Sequence, residues 1–111
     1  MQRDMTALLD INKAAKLAIA FTQGYNKQAF IHDAKTQSAV LHQLSIVGEA
    51  TKSLSESFRR AHPDIPWKSI SGMRDHLVHA YDAVDVEEVW NVVTHDLPDL
   101  LKQLEPLLPI G

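Results

Sequence analysis

The sequence predicts an all-α protein, an antiparallel bundle of four to five helices, and three observations carry that prediction. Apolar residues recur at steps of three and four through several long segments, the period of a helix with one buried face. The four glycines and five prolines are sparse, so helices can run between them without interruption. No segment alternates apolar and polar residues for long enough to form a strand, and there is no internal repeat. At 111 residues the chain suits one helical domain, residues 1–111, with a single core.

Each element has its own signal. Met5, Leu8, Ile11, Ala15, Ala18 and Ile19 form one stripe, which predicts a first helix stopped near Gly24. Asn26 is suited to cap a short second helix that runs through Phe30 and Ile31 and ends about Asp33. The strongest periodicity follows: Val40, Leu44, Val47, Thr51, Leu54 and Phe58 predict a third helix from Thr36 to about Ala61. Gly48 lies in its middle, where it costs about 1 kcal/mol relative to Ala, so either a close helix contact or a ligand is its motive.

Prolines 63 and 66 turn His62 to Trp67 out of helical geometry, with Trp67 as the anchor of the turn. Ile70, Met73, Leu77, Ala80 and Val84 predict a fourth helix from about Ser69 to Tyr81. Asp85, with Glu88 three residues on, starts a fifth in the manner of a capping box. Its stripe, from Val86 through Trp90, Leu97 and Leu104, runs to the stop at Pro106 and Pro109, and Pro98 is expected to bend it.

Composition excludes several classes. Hydrophobic residues at 45% and charged residues at 23% are the balance of a globular chain, not a disordered one. No apolar run approaches the ~20 residues that cross a bilayer, and the acid at Asp4 does not fit a secretory leader, so the cytoplasm is the expected location. The absence of cysteine excludes disulfides, thiolate zinc sites and a cysteine nucleophile. A net charge of -3 argues against an extended surface for long nucleic acids. That charge is uneven: residues 82 to 111 hold one basic and seven acidic groups. This segment is either a solvated acidic helix or a docking face for a basic partner.

One cluster carries chemistry. Arg74-Asp75-His76-Leu77-Val78-His79-Ala80-Tyr81 gathers an arginine, an acid, two histidines and a phenol in eight positions. Arginine offers a permanent planar fork for phosphate, and histidine trades protons near neutral pH. RNA cleavage needs no metal when one group activates the 2′-hydroxyl, another protonates the leaving oxygen and a cation neutralises charge on phosphorus. On a continuous helix Arg74 and His79 stand about 140° apart and about 7.5 Å along the axis, so they do not share a face. A cleft between two copies would unite them, which predicts a homodimer. On the same helix Asp75 is four residues before His79 and would orient it, and Tyr81 nearly eclipses Arg74. His76 and His79 could supply two metal ligands, but no third follows at a recognisable spacing, so no metal and no cofactor is expected. Asp33 and Glu49 are further acids that could face the same cleft, or serve as a cap and a solvated acid.

Gly48-Glu49-Ala50, Ile65-Pro66-Trp67, Gly72-Met73-Arg74-Asp75 with Leu77-Val78-His79-Ala80-Tyr81, and Val89-Trp90 with Asp96-Leu97-Pro98 together resemble the HepT-like proteins of the HEPN superfamily. The resemblance spans nearly the whole chain. Its specific part is an arginine, four residues, a histidine, one residue and a tyrosine, here Arg74, His79 and Tyr81. The resemblance implies a HEPN-like homodimer and a metal-independent RNA endonuclease, with catalytic residues at Arg74 and His79 in a cleft at the dimer interface. It further implies the toxin of a toxin-antitoxin pair, with RNA as substrate, tRNA being one candidate. Its partner would be an MntA-like nucleotidyltransferase antitoxin that attaches AMP to Tyr81. Two positions depart from the common pattern: Ala80 replaces a frequent glycine, and Asp75 a frequent asparagine. A rival reading is a non-catalytic helical module that binds a nucleotide or the nucleotidyltransferase. Intact Arg74 and His79 favour the enzyme.

Overall fold

A computed structural model describes residues 2–79 and 83–109. Among the described residues, eight helices are arranged in chain order: α1 (Gln2–Phe21), α2 (Lys27–Ile31), α3 (Ala34–Lys52), α4 (Glu56–Ala61), α5 (Trp67–Ser71), α6 (Met73–Leu77), α7 (Val86–Asn91) and α8 (Leu97–Leu104). A π-helical turn, Val92–Asp96, joins α7 to α8, and a 3-10 turn, Glu105–Leu107, follows α8. Two short strands, β1 (Val78–His79) and β2 (Ala83–Val84), make the one departure from an all-α fold among the described residues. No described helix is long and apolar enough to cross a membrane.

The long helices α1 and α3 form the central pair. Leu8, Ile11, Ala15 and Ala18 of α1 meet Val40, Leu44 and Val47 of α3, all almost fully buried. Small Ala side chains on α1 allow the axes to approach closely. The pair is antiparallel: the Asp4 carboxylate, near the start of α1, accepts hydrogen bonds from the Ser55 amide (2.7 Å) and the Ser55 hydroxyl (2.8 Å), just beyond the end of α3. These bonds hold the Asp4 carboxyl below its usual range, the Ser55 amide contributing most. Leu97, Leu100 and Leu104 of α8 complete the core.

The predicted caps are found in place. Asn26 accepts from the Ala29 amide at 2.8 Å, and Asp85 accepts from the Glu88 amide at 3.1 Å. Trp67 is buried and its indole N–H donates to the His62 carbonyl at 3.0 Å, closing the proline turn. Phe30 of α2 meets Trp90 of α7 with ring centroids 5.4 Å apart.

Three predicted elements are corrected. The third helix does not run to Ala61: it ends at Lys52, and Ser55 caps a separate α4 by accepting from the Phe58 amide at 3.1 Å. The serines around Leu54 offer the backbone alternative partners, and the Asp4 carboxylate captures the freed Ser55 amide. The fourth helix does not run from Ser69 to Tyr81. It is broken at Gly72 into α5 and α6 and ends at Leu77. Pro98 does disturb the last helix, but through a widened turn one residue earlier: the Leu97 amide donates to the Val92 carbonyl, five residues back. Proline has no amide to send to Thr94 and its ring crowds that carbonyl, so the turn loosens before it.

Candidate active site

Arg74 lies in the first turn of α6, and Gly72 sets the direction of that helix. The Gly72 amide donates to the Lys68 carbonyl at 3.2 Å, ending α5, while its carbonyl accepts from the Asp75 and His76 amides, starting α6. One face of α6, Met73, His76 and Leu77, turns towards α8, and Arg74 and Asp75 turn towards α3. Gly48 makes this second contact possible: a Cβ there would stand 3.1 Å from the Ser71 carbonyl oxygen and 3.7 Å from that of Ile70. Close packing is thus a motive for this mid-helix glycine.

Where α3 meets the α5–α6 junction there is a depression of about 170 Å³ lined by Ser45, Gly48, Glu49, Lys52, Ser71, Arg74 and Asp75. The Arg74 side chain is 51% exposed, and its ion-pair contact among the described residues is a loose one, 3.9 Å to Asp75. Lys52 stands 3.5 Å from Glu49. Both pairs are solvated and hold their partners weakly, so an anion can compete for either cation. The Ser71 hydroxyl donates to the Lys68 carbonyl and that of Ser45 to the Leu41 carbonyl, so both hydroxyl protons in the lining are already engaged. Lys52 and Ser71 were not expected from the sequence. Lys52 had a usable signal, its position three residues after Glu49 on the same helical face.

Beyond Leu77 the geometry differs from the helical expectation. The Val78 amide still donates to the Arg74 carbonyl, but the Val78 backbone is extended, with φ −113° and ψ 111°. β1 then pairs antiparallel with β2, Val78 opposite Val84 and His79 opposite Ala83. The Asp85 amide donates to the Leu77 carbonyl at 2.8 Å, satisfying an acceptor that a helix C-terminus leaves open. Arg74 and His79 therefore do not share a helix. About 4.5 Å of helical rise and about 6.6 Å of extended chain separate their backbones along the path. The 140° separation does not apply, and neither does the four-residue relation of Asp75 to His79. The eclipsing of Arg74 by Tyr81 assumed the same helix, and Tyr81 itself lies outside the described residues.

The two remaining acids part company. Glu49 does line the depression with Arg74. Asp33 does not: it caps the opposite end of α3, about 24 Å from Glu49 along the axis. Its carboxylate accepts from the Tyr25 hydroxyl at 2.6 Å, the Thr36 amide at 3.0 Å and the Thr36 hydroxyl at 2.8 Å. Those bonds, the Tyr25 phenol foremost, lower its pKa to about 2. It is a structural cap. Among the described residues, no group of three or more His, Asp or Glu side chains is placed to hold a metal ion.

Comparison with known proteins bears on this site. A probable ribonuclease HepT of Thermococcus cleftensis is 44% identical over 90% of this chain and 91% of its own length. A protein of Methanocaldococcus jannaschii named putative RNase is 36% identical over 96% of this chain and 89% of its own. Another so named, from Caldanaerobacter subterraneus, is 35% identical over 88% of each. No solved structure matches the chain significantly. The family described as "Ribonuclease HepT-like" matches residues 11–107, which include the whole depression and the hairpin beside it. The chain belongs to the HepT-like ribonuclease family.

Proposed function

We propose that this protein is an endoribonuclease that cleaves RNA without a metal ion and acts as the toxin of a toxin-antitoxin pair. The observation that carries the reading is the half-exposed Arg74 guanidinium in the depression beside Lys52, with His79 two residues past the end of its helix. Arg74 binds the scissile phosphate through its planar fork and neutralises the charge that develops on phosphorus. His79 takes the proton that leaves the 2′-hydroxyl, and water returns a proton to the departing 5′-oxygen. The 2′-oxygen forms its bond to phosphorus as the bond to the 5′-oxygen breaks, leaving a 2′,3′-cyclic phosphate and a 5′-hydroxyl. Glu49 and Asp75 support this as loosely paired neighbours of Lys52 and Arg74 that yield both cations to an incoming phosphate.

The active form is a homodimer in which each copy completes the other's cleft. A nucleotidyltransferase antitoxin silences it by attaching AMP to Tyr81, seven residues from Arg74. The added phosphate is an anion that competes with RNA for the cation. The family relationship and the intact arginine, histidine and tyrosine support both statements.

The test is cleavage of a labelled RNA by the purified protein, with chelator present throughout. Arg74→Ala and His79→Ala should each lower the rate by about 10²- to 10⁴-fold with helical content unchanged. Sedimentation should give twice the 12.4 kDa chain mass. If either variant cleaves like the parent, that residue is not catalytic. If the parent cleaves no RNA yet accepts AMP at Tyr81, the protein is the non-catalytic module instead.

A further inference from the structure

A second concavity lies on the far side of α6 from Arg74. It is a groove of about 810 Å³ between the α5–α6 segment and the α7–α8 helix. Its floor is apolar, formed by Ile70, Met73, Leu77, Val92 and Leu100, and its rim carries Asp64, Glu88, Asp96 and Asp99. Four exposed carboxylates stand against one ammonium, Lys102. Among the described residues none of these four acids has a basic partner within 4.0 Å.

We infer that this groove docks a basic amphipathic helix of a protein partner, apolar side chains inward and Lys or Arg along the acidic rim. Shape supports this occupant. Lining residues run from Glu88 to Gln103 on one nearly continuous helix, a length of about 20 Å, or about four helical turns. Spread over that length, the volume gives a mean cross-section of about 40 Å², room for a row of side chains from a helix lying across the mouth. Charge supports it as well. Unpaired carboxylates around an apolar floor steer a cationic segment and repel RNA phosphates and anionic lipid. The π-turn adds a third observation, since Val92 and Asp96 both belong to it and both line the groove. The widened turn displaces the helix register at the point where the floor meets the rim. Because α6 walls both concavities, a helix seated here contacts Met73, His76 and Leu77 of the same short helix that carries Arg74. The inference does not depend on the nuclease reading.

The experiment measures fluorescence anisotropy of a labelled amphipathic peptide of Leu and Lys, about 18 residues or five turns long, added to the full chain. The parent protein should bind it, a Leu/Glu peptide of the same pattern should not bind, and added salt should weaken the complex. D96K/D99K should lower affinity at least about tenfold, E88K/D64K should do so independently, and Arg74→Ala should bind like the parent. The acid-reversal control D10K/E56K, away from the groove, should stay within about twofold. Equal binding by both groove variants, or equal loss in the control, would overturn the assignment. If the groove variants instead convert a self-associated parent to monomer, a second copy of the chain is the occupant and the assignment is also wrong.

Discussion

Replacing Gly48 by alanine sets two known effects of opposite sign against each other. Removing a glycine from the interior of α3 relieves backbone entropy and should stabilise the helix by about 0.8–1 kcal/mol. The new methyl, however, would stand 3.1 Å from the Ser71 carbonyl oxygen, 3.7 Å from that of Ile70 and 3.8 Å from the Ser71 carbonyl carbon. All three atoms are backbone, so no side chain can rotate away, and the α5–α6 junction must retreat by a few tenths of an ångström. Ile70 and Trp67 resist, since both are buried at 4% and 6% exposure. Overpacking of this kind costs about 1–3 kcal/mol, which leaves a net loss of about 1 kcal/mol and a fall in Tm of about 4 °C for a chain of this size. The retreat also moves Ser71, and three residues on Arg74, away from Lys52. Thermal unfolding followed by circular dichroism, with RNA cleavage on the same samples, should show a lower Tm together with slower turnover. A Tm raised by the full helix-propensity gain, with unchanged cleavage, would show that α5 does not press on α3. The account of Gly48 would then be wrong.

Acid stability should depend on Tyr25. Asp33 titrates near 2 in the fold against an ordinary 3.8, so its contribution is fully present above pH 4 and is lost as the pH falls towards 2; Asp4, also lowered, acts in the same direction. Tyr25→Phe removes the foremost cause at Asp33 and should move the acid unfolding midpoint to higher pH, whereas an unchanged acid limb would assign the stability elsewhere. Leu44→Ala, at a site with no solvent exposure between α1 and α3, should cost about 2–5 kcal/mol in denaturant titration, and a loss below 1 kcal/mol would mean the pair repacks freely. Pro98→Ala restores the amide that α-helical bonding to Thr94 requires and should convert the π-turn to regular helix. Hydrogen exchange at Leu97 should then slow, and an unchanged exchange pattern would place the cause of the turn elsewhere.

Local rules made much of this molecule legible in advance. The caps at Asn26 and Asp85, the turn held by Trp67 and the stripe through Val40, Leu44 and Val47 each follow from a few neighbouring residues, because a cap or a helical face depends on spacing alone. The pairing of Arg74 with Glu49 at one depression was also within reach, since both were singled out before their elements were placed. The errors share a different origin. Periodicity continued smoothly through Leu54 and Phe58 and through Ala80 and Val84, yet the helices stop at Lys52 and Leu77. At the first stop the competing partner is the Asp4 carboxylate, 51 residues away in sequence. At the second it is the Asp85 amide, which captures the Leu77 carbonyl and draws Val78 and His79 into a hairpin. For Asp33 the spacing left two readings open, a cap or an acid facing the cleft, and the structure places it as the cap of α3, because an acid's identity does not reveal which end of the bundle its helix brings to the site. The sequence by itself determined the helical class, the family motif and the faces that become core, all of which rest on short-range spacing. Only the tertiary structure decided where helices end and which charged groups meet, because hydrogen bonds between residues distant in the chain form only once the core has packed.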